Sequence, residues 1–255
     1  MPRYDALSPI NTAPNPKGLP VLSEPRTINL LTELIHVPAK HTVENLRNLY
    51  NSICSSCGYE NFIRTADGAR VESSKVDQSK SEGTQGSSSV TFRQDRIIVL
   101  EDRTALALEE YVERVETVAR SAMEILKIPL FLVQQSTVRS LASPNFYRSA
   151  GEFLGKSLFK IREEELEPLG RPANIFGLRL LFPATPDNNQ QFNVRIESYV
   201  KDPRSVYIEN VGVYKNPIQY QNLDVLGQNM EATAEFLSSN LCGFLTQYDR
   251  KDPAV

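Results

Sequence analysis

The expected fold class is α+β: two ferredoxin-like-related α/β sandwich halves with mostly antiparallel sheet. Two long stretches of 3.6-residue apolar periodicity, Val43 to Cys57 and Thr104 to Lys127, are set among short runs rich in Val, Ile, Leu and Phe. Those runs come in neighbouring groups joined by turn-type residues, which favours antiparallel pairing. With 255 residues, 40% hydrophobic and 23% charged, the chain has enough apolar content for a real core.

Residues 1–26 read as an extended arm, because Pro2, Pro9, Pro14, Pro16, Pro20 and Pro25 interrupt any ladder. Residues 27–139 form the expected first half, β-α-β-β-α-β. Its opening strand, Thr27 to Val37, stops at Pro38. A helix follows with Thr42 as N-cap, an apolar stripe of Val43, Leu46, Leu49, Tyr50, Ile53 and Cys57, and Gly58 as the residue that ends it. Tyr59 to Val71 contains a short strand. Residues 72–88 are a Ser, Lys, Gln and Gly tract that reads as a mobile loop.

Ser89 to Phe92 and Ile97 to Leu100 make a hairpin around Gln94-Asp95. The helix Thr104 to Lys127 and the return strand Leu130 to Val138 complete this half. Residues 140–248 read as α-β-β-β-α, with a tail at 249–255. Ser143-Pro144 is the expected N-cap and N1 pair of a helix Asn145 to Ile161. Asn174 to Phe182, Phe192 to Tyr199 and Val206 to Tyr214 form a meander, and Leu223 to Gln247 is a closing helix.

This order of elements, with Asp95-Arg96-Ile97-Ile98-Val99-Leu100 between the hairpin and the long helix, resembles a sporadically distributed bacterial α/β family of about this length whose function is unestablished. The resemblance carries over no catalytic residues.

A net charge of −3 gives no overall field for nucleic acid or anionic lipid. No apolar run approaches the ~18 residues that span a bilayer, and the first residues lack a signal-peptide core. Three cysteines do not make a disulfide framework, and a cytoplasmic location is expected.

Among chemical motifs, Cys54-Ser-Ser-Cys57 has redox spacing but lies at the end of a helix, where the dipole disfavours a thiolate. As metal ligands, Cys54 and Cys57 need two more from Cys242, His36 and His41. His41 lies about 20 Å from Cys54 along the same helix. The two histidines lack the HxT or HxS setting of two-histidine phosphoesterases, and neither GxSxG, P-loop nor GxGxxG occurs.

Glu101-Asp102 with Asp95 is a candidate acidic cluster for a divalent cation, although Asp102 is also placed to cap the following helix. Arg179, Arg195 and Glu197 fall on adjacent strands as a candidate polar groove or ion pair. Arg148, Lys156 and Lys160 recur at helical spacing around Glu152 as a candidate anion-binding stripe, followed at once by acidic residues.

The near-empty motif inventory favours a non-enzymatic protein-interaction or assembly module, without a cofactor, that engages another protein or itself through its N-terminal arm. The alternatives are a small-ligand-binding or metal-dependent enzyme using the acidic cluster, and a weak nucleic-acid binder.

Overall fold

The computed structural model describes residues 22, 25–76, 85–103, 106–171, 173, 175–186 and 188–250, with the side chains of 74–76, 85 and 163 left aside. The expected N-terminal arm, apart from Leu22 and residues 25–26, lies outside them. The architecture is α+β. Its nine strands are β1 (Arg26–Ile35), β2 (Asn61–Thr65), β3 (Gly68–Val76), β4 (Gln85–Arg93), β5 (Arg96–Asp102), β6 (Val133–Ala142), β7 (Gly177–Phe182), β8 (Gln190–Ser198) and β9 (Val206–Tyr214). They form one sheet in the order β2-β3-β4-β5-β1-β6-β9-β8-β7, and every neighbouring pair is antiparallel.

The helices are α1 (Val43–Cys57), α2 (Leu108–Leu126), the short α3 (Ala150–Glu152) running into a π-helical turn at Phe153–Leu158, α4 (Glu163–Leu166), α5 (Val225–Glu235) running into a π-helical stretch at Phe236–Leu241, and α6 (Cys242–Thr246). α1 forms where the sequence places it. The Thr42 hydroxyl accepts from the Asn45 amide, and Gly58 takes a left-handed φ of 71° that frees the chain to turn. α2 begins later than expected. Its N-cap is Ala107, because Asp102 stays in the β5 ladder opposite Asn29 and does not act as a cap.

Strand alternation separates the two faces of the sheet. Leu30, Leu34, Ile97, Val99, Val138, Val194, Ile196 and Ile208 are buried on one face. α2 and α5 cover it: Tyr111 donates to Thr32 and to the Val99 carbonyl, Gln134 donates to the Leu226 carbonyl, and Asn210 to that of Thr233. A Cβ on Gly212 would collide with the Thr233 hydroxyl, so glycine lets α5 lie close on β9. Residues of the other parity, including Leu31, Ile98, Leu100, Val211 and Val213, are half-buried.

The sequence leaves open whether the two halves share a sheet; they do, because β6 of the first pairs with β9 of the second from Gln134↔Tyr214 to Ala142↔Val206. Other expectations are corrected. Four strands, not two, separate α1 from α2, so the first half is not a simple β-α-β-β-α-β unit. The tract 72–88, read as a loop, is strand at both ends, with β3 and β4 paired from Gly68↔Arg93 to Val76↔Gln85. Its interior-facing residues are Ser73 and Ser88, buried hydroxyls that erase the apolar alternation by which strands are recognised. Residues 77–84 lie outside the description.

The third helix starts at Ser149, whose hydroxyl accepts from the Glu152 amide, rather than at Ser143. The buried Asp249 carboxylate takes the backbone amides of Asn145 and Phe146 and holds that segment out of a helix. The start of the expected tail is therefore part of the folded body.

Candidate interaction surface

The acidic candidates do not converge. Asp95 lies in the turn before β5, where hydrogen bonds from Arg96 at 2.8–3.2 Å hold its carboxyl below the usual carboxylate range. Glu101 and Asp102 are adjacent on β5 and therefore point to opposite faces of the sheet. Glu101 is buried, paired with Arg114 of α2 and accepting from Ser88, while Arg114 also donates to Ser88 at 2.7 Å and lies over the Tyr59 ring. Among the described residues, no group of three or more His, Cys, Asp or Glu side chains is placed to share a metal ion.

Asp102 begins a polar ladder on the half-buried face. It accepts from Asn29 at 3.2 Å, and Asn29 accepts from Arg139 at 2.7 Å. Arg139 also reaches Glu209 at 2.5 Å, and Glu209 accepts from Tyr207 at 3.0 Å. Arg195 lies over the Tyr207 ring and is held bidentately by Glu197 at 2.6 and 2.8 Å. Asp102 and Arg195, read separately in the sequence, thus stand at opposite ends of one network crossing five strands. Arg179 is exposed and directly opposite Arg195 in the ladder.

The basic stripe does not persist. Helical spacing assumed an uninterrupted helix from Asn145 to Ile161, but the backbone is extended at Ser149 and Lys160 has a φ of 54°. Glu152 accepts the Arg148 backbone amide at 3.1 Å and Lys156 Nζ at 3.4 Å. A cavity of about 700 Å³ opens beside this π-helical turn, lined among others by Ser149, Glu152, Gly155, Lys156, Leu166 and Phe176.

Cys54 is half-buried and donates to the Asn51 carbonyl, whereas burial pushes the Cys57 thiol up and that of Cys242 up to about 11. Neither Cys57 nor Cys242 is poised as a thiolate nucleophile.

β7 and the segment leading into it carry exposed apolar side chains: Ile175 is 52% exposed, Leu181 62% and Phe182 38%. β7 ends the sheet, so its outer backbone row is unpaired within it. At the opposite end, β2 presents the exposed Ile63 among Asn61, Arg64 and Thr65, polar residues that blunt an edge. β7 reads Gly-Leu-Arg-Leu-Leu-Phe, with one charge and no proline. Sequence reasoning found the strand but not its place at the edge, because edge position depends on strand order.

No family model, no curated protein and no solved structure matches this chain. No helix among the described residues is long and apolar enough to cross a membrane.

Proposed function

We propose that this chain is a non-enzymatic assembly module that self-associates by antiparallel pairing of β7 with the β7 of a second copy. The observation that carries the reading is the exposed edge strand and its self-complementary pattern. A two-fold axis at Leu180 sets Leu180 against Leu180, Leu178 against Phe182 on the helix-covered face, and Arg179 against Leu181 on the other. No like charges meet, and both exposed apolar side chains gain cross-strand partners. The order β6-β1-β5-β4 reads as a ferredoxin-like unit widened by β2 and β3.

Leu181→Lys places a cation against Arg179 of the second copy, twice per dimer, and Leu181→Glu places an anion there. At roughly 0.2–1 kcal/mol per cross-strand pair, the two contacts change dimer stability by about 0.4–2 kcal/mol, or about 2- to 30-fold in Kd. Light scattering across a concentration series should show a dimer that Leu181→Lys weakens and Leu181→Glu preserves. A monomer at every concentration, or equal effects of lysine and glutamate, refutes the reading.

The cavity beside the π-helical turn supports a second reading, a small-ligand site, since 700 Å³ matches the size of ligand pockets. A ligand bound there contacts Phe176, and Gly155→Ala, whose added Cβ would stand 3.3 Å from that ring and press it toward the cavity, should weaken its binding.

A further inference from the structure

His36 and His41 flank the corner between β1 and α1, and their rings lie 6.0 Å apart between centroids. The corner is pinned. The His36 amide bonds to the Asp95 carbonyl at 2.9 Å, the Ala39 amide to that of Gln94 at 2.8 Å, and the Phe131 ring stands edge-on to His36. His36 is only 2% exposed. Its Nδ1 is 2.9 Å from the Val37 carbonyl oxygen, which can only accept, so Nδ1 carries the proton and Nε2 keeps its lone pair. The His41 Nε2, like that of His36, is buried without a partner.

Two neighbouring imidazoles thus have buried Nε2 atoms without partners, and the His36 Nδ1 proton is committed to a backbone carbonyl. Metal-ligating histidines are oriented in this way, the outer N–H fixed by a carbonyl and the inner nitrogen free. Metal–imidazole bonds of about 2 Å put ring centroids about 6 Å apart in a linear pair and about 5 Å apart in a tetrahedral one. The observed spacing fits the linear pair, and no third His, Cys, Asp or Glu among the described residues is placed to join. The Asp95 carboxylate, the closest acidic group to this corner in sequence, is engaged by Arg96. We propose that His36 and His41 form a two-coordinate site for Cu(I), a d10 ion that accepts two nitrogen ligands in line.

The test uses the full chain with Cys54→Ser, which removes the most accessible thiol as a competitor. Cu(I) is added without oxygen against a chromophoric Cu(I) chelator, and the bound ion is examined by X-ray absorption. The expected result is one Cu(I) per chain with two short nitrogen neighbours and no sulfur, and at least tenfold weaker retention after His41→Ala. Sulfur neighbours, no uptake, or unchanged retention in His41→Ala overturns the proposal. If His41→Ala melts early and cannot be compared, the absorption spectrum of the histidine-intact chain decides alone.

Discussion

Removing Arg114 should destabilise the protein far more than removing Arg114 and Glu101 together. The Arg114 side chain is 10% exposed and the Glu101 side chain 2%; Arg114 and Ser88 both bond Glu101 Oε1, and the buried Oε2 has no hydrogen-bond partner. Arg114→Met leaves a carboxylate inside the sheet–helix interface with only the Ser88 hydroxyl beside it. An uncompensated buried charge of this kind costs about 3–5 kcal/mol. At about 2–4 °C per kcal/mol for a chain of this size, Tm should fall by roughly 6–20 °C. Replacing both partners, Arg114→Met with Glu101→Leu, removes the orphaned charge and should recover most of that loss, because apolar substitutes for buried ion pairs are often neutral. Urea denaturation of the two single variants and the double variant closes the cycle. If Arg114→Met costs under about 1 kcal/mol, or the double variant is no better than Arg114→Met, the pair is not the buried, mutually dependent unit described above.

Three further outcomes are expected. Thr42→Ala removes the N-cap of α1 and should cost about 1 kcal/mol in urea denaturation, whereas Thr42→Ser should cost little. Thiol alkylation of the native protein near neutral pH, followed by peptide mass spectrometry, should modify Cys54 well before Cys57 or Cys242, whose thiols burial pushes up; similar rates at all three would refute that burial. Burial, opposed by the Thr233 hydrogen bond, pushes the Tyr214 hydroxyl up to about 12, above its ordinary value near 10. The folded state then holds that proton more tightly than the unfolded state, so this contribution is complete below about pH 10 and declines as pH rises towards 12. Tyr214→Phe should flatten the decline in stability measured between about pH 10 and 12.

What could be read from the sequence depended on whether the deciding physics was local. α1 was legible from end to end because Thr42, the stripe of Leu46, Leu49, Ile53 and Cys57, and Gly58 each act within one or two turns. The meander strands were legible because their buried faces alternate. The third helix was misplaced because its start is set by the Asp249 carboxylate, 104 residues from Asn145. The serine tract was misread because Ser73 and Ser88 enter a buried polar pocket only through register with Glu101 and contact with Arg114. The candidate sites followed the same division. Adjacent acidic residues looked like a cluster in one dimension, and strand alternation then sent Glu101 and Asp102 to opposite faces. Leu181 and Phe182 were ordinary strand residues until the order of strands left β7 without an outer neighbour.

The inequality of the two edges bears on what kind of assembly the sheet can form. If β7 paired with β2 of the next copy, each copy would still offer a free edge and growth would continue as an open fibre. Arg64 on β2 and Arg179 on β7 each carry positive charge onto their edges, and β2 sets Asn61 and Thr65 beside one exposed isoleucine, Ile63, so a mixed pairing brings mostly polar side chains to Leu181 and Phe182. Pairing β7 with itself sets Leu178 against Phe182 and each Arg179 against a leucine, and covers the edge that carries two exposed large apolar residues where β2 carries one. In the proposed assembly growth closes at two copies, with the two β2 strands as outer margins, where Asn61, Arg64 and Thr65 hinder further addition.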